Sequence, residues 1–131
     1  MMTHHILIIE KESSLRNNLA QHLRQEGFRV SETDQVDLAM GVLGHDRIHV
    51  ILIGLKELKR DGIAIMREIR ARFADIKVIT INSGEQLELS IESMRLGAYD
   101  DFLIPFDLDA LINRVRSAIE NKPSDPTRSR N

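Results

Sequence analysis

The chain has 131 residues, 42% of them apolar, and its 18 basic and 20 acidic side chains leave a net charge of −2. That length suits one domain with its own core, and that charge balance gives no strong field for nucleic acid, an acidic substrate or a membrane. Absence of cysteine excludes disulfide frameworks and thiol chemistry. Along the chain, short apolar runs alternate with amphipathic stretches. Ile6–Ile9 is wholly apolar, the pattern of a strand covered on both faces. Ser13 and Ser14 offer N-cap oxygens, Leu15, Leu19 and Leu23 follow at helical spacing, and Gly27 stops the helix. Phe28, Val30 and Glu32 alternate with polar neighbours and predict a second strand nearer an edge. Leu38, Ala39, Val42 and Leu43 predict a short helix closed by Gly44, and Val50–Ile53 a third, buried strand.

Asp61-Gly62 is a turn signal, and Ile63, Met66, Ile69 and Phe73 beyond it form a helical stripe. Val78, Ile79 and Ile81 mark a fourth strand. Leu87, Ile91 and Met94 mark a fourth helix ending at Gly97. Asp101–Ile104 supplies a short fifth strand, Pro105 follows, and Asp107 caps a last helix with its stripe at Leu108, Leu111, Ile112, Val115, Ala118 and Ile119. The polar, proline-containing residues 122–131 read as a disordered tail or the start of a linker, leaving 1–121 as the domain. The longest apolar runs are too short to span a bilayer, and the N-terminal MMTHH is no signal peptide, so a cytoplasmic protein is expected.

Five strands alternating with five helices imply an α/β fold, a parallel sheet with helices on both faces. In such sheets the chemistry sits at the carboxyl ends of the strands. Attention therefore falls on Glu10–Glu12, Ser31–Thr33, Gly54–Lys56, Asn82–Gly84 and Ile104–Pro105.

Those places carry a family resemblance. The segment ILIIEKESSLRNNLAQHLRQEGFRV resembles the first strand, helix and second strand of a bacterial response-regulator receiver domain. RDGIAIMREIR resembles the loop and helix after that family's phosphorylation strand, and LGAYDDFLIPFDLDALINRVRSAI its fifth strand and last helix. The resemblance implies a flavodoxin-like sheet of order 2-1-3-4-5. It also implies five functional groups: an acidic pair that holds magnesium, an acceptor aspartate, a hydroxyl, a lysine and an aromatic relay. The matching positions here are Glu10 and Lys11 for the acidic pair, Gly54 for the acceptor, Asn82 for the hydroxyl, Ile104 for the lysine and Asp101 for the aromatic. Only Glu10 keeps the family's charge.

The expected result is a pseudo-receiver: no enzyme, no cofactor and no metal. Lys11 is expected either to pair with Glu10 or Glu12 and fill the magnesium space or to be a solvated loop charge. Ile104 is expected to wall a collapsed pocket, and its bond to Pro105 is open to a cis form. Glu57 and Asp61 fall in the loop after the third strand and are poor substitutes for an acceptor. The five histidines are scattered, which argues against a metal site. Arg67, Arg70, Arg72 and Lys77 read as a solvated face, without aromatics for stacking bases.

In function, the chain is read as an interaction module without phosphorylation chemistry, its partner a histidine kinase, an effector domain or another signalling protein. The resemblance implies an output surface on the fourth helix, fifth strand and fifth helix. That surface includes Ser90, Ser93, Met94, Arg95, Asp101 and Leu103 and offers a homodimer face; neither nucleic acid nor membrane is an expected partner. Two alternatives stay open: a small molecule in the vacated pocket, or phosphorylation at a non-standard residue.

Overall fold

Burial on both faces explains why the central strands carry no polar alternation: every residue of β1 (His5–Ile9) and β3 (Val50–Gly54) is buried. The computed structural model describes residues 3–121. The elements follow as β1, α1 (Ser13–Gln25), β2 (Arg29–Thr33), α2 (Val36–His45), β3, α3 (Leu55–Leu58) and α4 (Arg60–Arg72). Next come β4 (Lys77–Ser83), a 3-10 turn at Gly84–Gln86, α5 (Leu87–Arg95), β5 (Asp100–Ile104) and α6 (Leu108–Ile119). All strand pairs are parallel and the order is β2-β1-β3-β4-β5, the flavodoxin-like arrangement that the resemblance implies. The second strand is an edge strand, as its alternation predicts.

Strand alternation divides the core in two. Ile6, Ile8, Val50, Leu52, Ile79 and Ile81 pack with Leu19 and Leu23 of α1 and with Leu111, Ile112 and Val115 of α6. Leu7, Ile9, Ile51, Ile53 and Val78 face the other way, onto α2, α3, α4 and Leu89 of α5. This two-residue period carries the helices to opposite faces of one sheet.

Several local expectations are corrected. Glu12, not Ser13 or Ser14, is the N-cap of α1; its carboxylate accepts the N–H groups of Ser14 at 3.3 Å and Leu15 at 2.5 Å. Helix α2 runs through Gly44 to His45, and its Leu38 is 56% exposed rather than core. A sixth helix, α3, follows β3 directly where a loop is predicted, and Asp61-Gly62 lies inside the first turn of α4. Gly62 permits this compact arrangement: a Cβ there would lie 2.6 Å from Leu55 Cδ2 and 3.3 Å from Leu58 Cβ, both in buried residues. Helix α5 is turned the opposite way to its apparent stripe. Leu87 and Ile91 are exposed, whereas Leu89, Ser90 and Ser93 face inward. Asp107 caps α6 as predicted, accepting the Asp109 N–H at 3.0 Å. The expected tail at 122–131 lies outside the described residues.

Phe102 anchors β5 to the α1/α6 core, 1% exposed and edge-to-face with Phe106 at 5.9 Å. Phe102→Ala is expected to cost about 3–5 kcal/mol, seen as a lower urea midpoint with the same far-ultraviolet spectrum for the folded state.

Candidate functional site

The carboxyl ends of β1 and β3 lie side by side, with Ile9 paired to Ile53. One residue further on, Glu10 and Gly54 face each other. Glu10 is 2% exposed. Its Oε2 accepts the Glu12 N–H at 2.9 Å, and its backbone carbonyl accepts from the Arg16 guanidinium at 2.9 Å. A Cβ built on Gly54 would lie 2.0 Å from Glu10 Oε1 and 2.5 Å from Glu10 Cδ. The glutamate therefore occupies the space that a side chain at position 54 would need.

Burial pushes the Glu10 carboxyl above its ordinary range. The backbone N–H groups of Glu12 and Lys11 partly offset this, while the Glu12 and Glu57 charges push it further up. Lys11 does not neutralise it. Its side chain is exposed, and among the described residues no ion pair holds it. Of the two readings of Lys11, the solvated one applies: Glu10 is turned inward and Glu12 is engaged by the start of α1, so neither carboxylate meets the lysine. The group that fills the space is Glu10.

Asn82 belongs to a different face. At the end of β4 it is fully buried, and its Nδ2 donates to the Gln86 carbonyl at 3.1 Å and to Ser90 Oγ at 3.0 Å. Its Oδ1 accepts the Ser83 N–H at 2.9 Å. Both ends of the amide are thus used within the fold. Ile104 is half-buried against the α1/α6 core, and its bond to Pro105 is cis.

On the predicted output surface, Arg95 and Leu103 are exposed, and Met94 and Asp101 are half-buried. Ser90 and Ser93, expected there, are buried at 7% and 0% exposure. Asp101 Oδ1 instead accepts the hydroxyl of Thr80, which sequence reasoning passed over. Another missed feature is Glu92 on α5, which accepts from Arg60 at 2.6 and 3.1 Å and from Arg67 at 2.7 Å. The signal for it was a row of arginines facing one acid across two helices.

His4 and His5 point apart, as strand alternation predicts. The His4 ring meets His49 edge-on at 4.8 Å, whereas His5 Nε2 lies 2.7 Å from Ser31 Oγ. Among the described residues, no group of three or more His, Asp or Glu side chains gathers to hold a metal ion, and no helix is long and apolar enough to cross a membrane.

The family model of the response regulator receiver domain matches residues 6–116. The chain belongs to that family. The receiver is 31% identical over 115 residues to the C4-dicarboxylate transport transcriptional regulatory protein DctD of Pseudomonas aeruginosa, an alignment covering 88% of this chain and 25% of DctD. It is 27% identical over 122 residues to sporulation initiation phosphotransferase F of Bacillus subtilis, covering 93% of this chain and 98% of the other. A response regulator from Thermotoga maritima superimposes with a TM-score of 0.81 at 25% identity, over 91% of this chain and 99% of that one. Against several of its curated relatives, DctD and NtrX-like regulators among them, the receiver spans about a quarter of their length.

A magnesium ion does not fit the residues present in this receiver. Such an ion needs several oxygen ligands in near-octahedral array. Here the single carboxylate of the matching pair is turned onto a backbone N–H and Gly54, its neighbour Lys11 is a cation, and Gly54 supplies no oxygen from a side chain.

Two predictions follow from the Glu10–Gly54 contact. Gly54→Ala is expected to push the flexible Glu10 carboxyl aside, and its effect on stability is expected to differ from that in a Glu10→Ala background by about 0.5 kcal/mol or more in a double-mutant cycle of urea midpoints. The raised Glu10 carboxyl means that the folded chain holds this proton more tightly than the unfolded chain. Its stabilising contribution is full below the ordinary glutamate value of 4.5 and is lost as pH rises through the raised value. Glu10→Gln keeps an acceptor for the Glu12 N–H without charge, so its stability relative to wild type is expected to be greater at about pH 7 than at about pH 4.

Proposed function

We propose that this receiver is a phosphorylation-independent interaction module of two-component signalling, without enzymatic activity and working in the cytoplasm. The observation that carries the reading is the Glu10 carboxylate lying where an acceptor side chain would stand at position 54. Aspartyl phosphorylation requires a nucleophilic carboxylate, a metal to neutralise phosphoryl charge and cationic support. Position 54 carries no side chain, Lys11 stands where an acid would help hold the metal, and Ile104 stands where the lysine would be. Asn82 is committed to Ser90 and Gln86 on the other face of the sheet.

Partners of this module are a histidine kinase, an effector domain or another signalling protein. The face formed by α5, β5 and α6 is the proposed contact surface, for such a partner or for a second copy. Its exposed Leu87, Ile91 and Leu103, at 60%, 45% and 43% exposure, support that assignment, since apolar area removed from water drives association. A small molecule at the strand ends is the weaker reading, because Glu10 fills the space it would use.

The test is incubation with magnesium and acetyl phosphate, followed by intact-mass spectrometry and backbone amide NMR. Unchanged mass and unchanged peaks at Glu10, Gly54 and Asn82 are expected. Addition of one phosphoryl group, or saturable magnesium shifts at those residues, would overturn the proposal.

A further inference from the structure

The end of the sheet opposite Glu10 is closed by histidines. His49, just before β3, makes two hydrogen bonds with His5 at the start of β1. Its backbone N–H donates to the His5 carbonyl at 2.9 Å, and its ring Nδ1 accepts the His5 N–H at 3.0 Å. The imidazole thus serves as a strand acceptor one position before the Ile6–Val50 pair. The His49 carbonyl accepts the Lys77 N–H of β4 at 3.2 Å, so this residue ties three strands.

These bonds fix where the ring carries its proton. A nitrogen that accepts holds no proton, so neutral His49 is protonated at Nε2. Nε2 is buried and has no partner among the described residues. A cationic ring would hold a proton on each nitrogen. Nδ1–H would then face the His5 N–H, and Nε2–H would find no acceptor. The neutral ring satisfies one nitrogen and the cation neither. His5 differs in this respect: its Nε2 lies 2.7 Å from Ser31 Oγ, a contact that a cationic ring keeps by donating.

The charged groups around the pair are mostly cationic or able to become so. The His4 ring meets His49 edge-on at 4.8 Å, Arg47 sits in the same loop, Lys77 opens β4 and Arg29 opens β2. Asp46 is the carboxylate in this group, and it lies 3.9 Å from Arg29. Burial pushes His49 below the ordinary histidine value of 6.5, and the His4 and Arg47 charges push it further down. Burial also lowers His5, helped by Arg29 and His49 and opposed by Asp46.

We infer that His49 is a proton-operated latch: protonation of its ring releases the His5 N–H and loosens the edge of the sheet where β1 and β3 begin. A histidine lowered in the folded chain stabilises fully above 6.5, and that contribution is lost as pH falls through the lowered value. The Glu10 contribution runs the opposite way with pH and arises at the other end of the sheet. The latch gives this receiver a proton-sensitive element whatever its phosphorylation chemistry, so it goes beyond the proposed function and does not depend on it.

The experiment is NMR of the full 131-residue chain, following the imidazole nitrogens and the exchange protection of the His5 amide corrected for the intrinsic effect of pH. At about pH 7.5 the His49 ring is expected as the Nε2–H form, with a titration midpoint below 6.5. His5 protection is expected to fall roughly three- to tenfold on moving from about pH 7.5 to about pH 5. His49→Asn offers Oδ1 as an acceptor that does not titrate, and is expected to remove most of that fall. His49→Ala removes the acceptor and is expected to leave His5 weakly protected at both pH values. An Nδ1–H form at neutral pH, a midpoint at or above 6.5, unchanged wild-type protection, or a fall in His49→Asn equal to the wild type overturns the latch. The first three need no variant, so they decide even if His49→Asn does not fold. No phosphoryl donor enters the experiment, so failure of the latch and failure of the proposed function are separate results.

Discussion

Covering a parallel sheet on both faces is the constraint from which the rest of this receiver follows. It requires β1 and β3 to be apolar at successive positions, because each residue faces one core or the other. It leaves room for polar side chains chiefly at the ends of the strands. Glu10, Gly54 and Asn82 all stand at those ends, so the fold alone gathers the residues that a site would use. The same constraint sends α1 and α6 to one face and α2 through α5 to the other. The two faces then meet the site differently, with Glu10 and Gly54 aligned on one and Asn82 drawn beneath α5 on the other.

At the site, sterics and electrostatics agree. An absent side chain at position 54 makes room, and a carboxylate from the adjoining strand takes it. A buried carboxylate without a cation is unfavourable as an ion, which the raised Glu10 carboxyl expresses. Backbone N–H groups supply the compensation that Lys11 does not. The region is thus satisfied by its own chain, with the helix start at Glu12 and Arg16 completing the arrangement.

Much of this was legible in the amino-acid sequence. Unbroken apolar runs located β1 and β3, alternation located the edge strand β2, and Asp107 with the stripe behind it located α6. Gly54, Asn82 and Ile104 were recognised as departures from the family pattern because ordered motifs flank them. The identity of the group filling the space was not legible. Lys11 and Glu10 are neighbours in sequence, and only tertiary packing decides which turns inward. The inward face of α5 was also hidden: Leu87 and Ile91 have the spacing of a core stripe, while buried Ser90 takes the Asn82 amide of β4 as its partner and Ser93 donates to the Ser90 carbonyl of its own helix. Helix α3 escaped because four residues are too few for periodicity to declare itself, and Gly62 reads as a turn residue until Leu55 and Leu58 are seen against it.

The filling of one strand's vacancy by its neighbour's carboxylate also shapes the substitution paths open to this chain. An aspartate introduced at position 54 meets Glu10 already in place. A smaller residue introduced first at position 10 leaves an empty niche and no nucleophile. The two positions are therefore coupled by volume, and a side chain at position 54 requires the Glu10 carboxyl to leave the space it now fills.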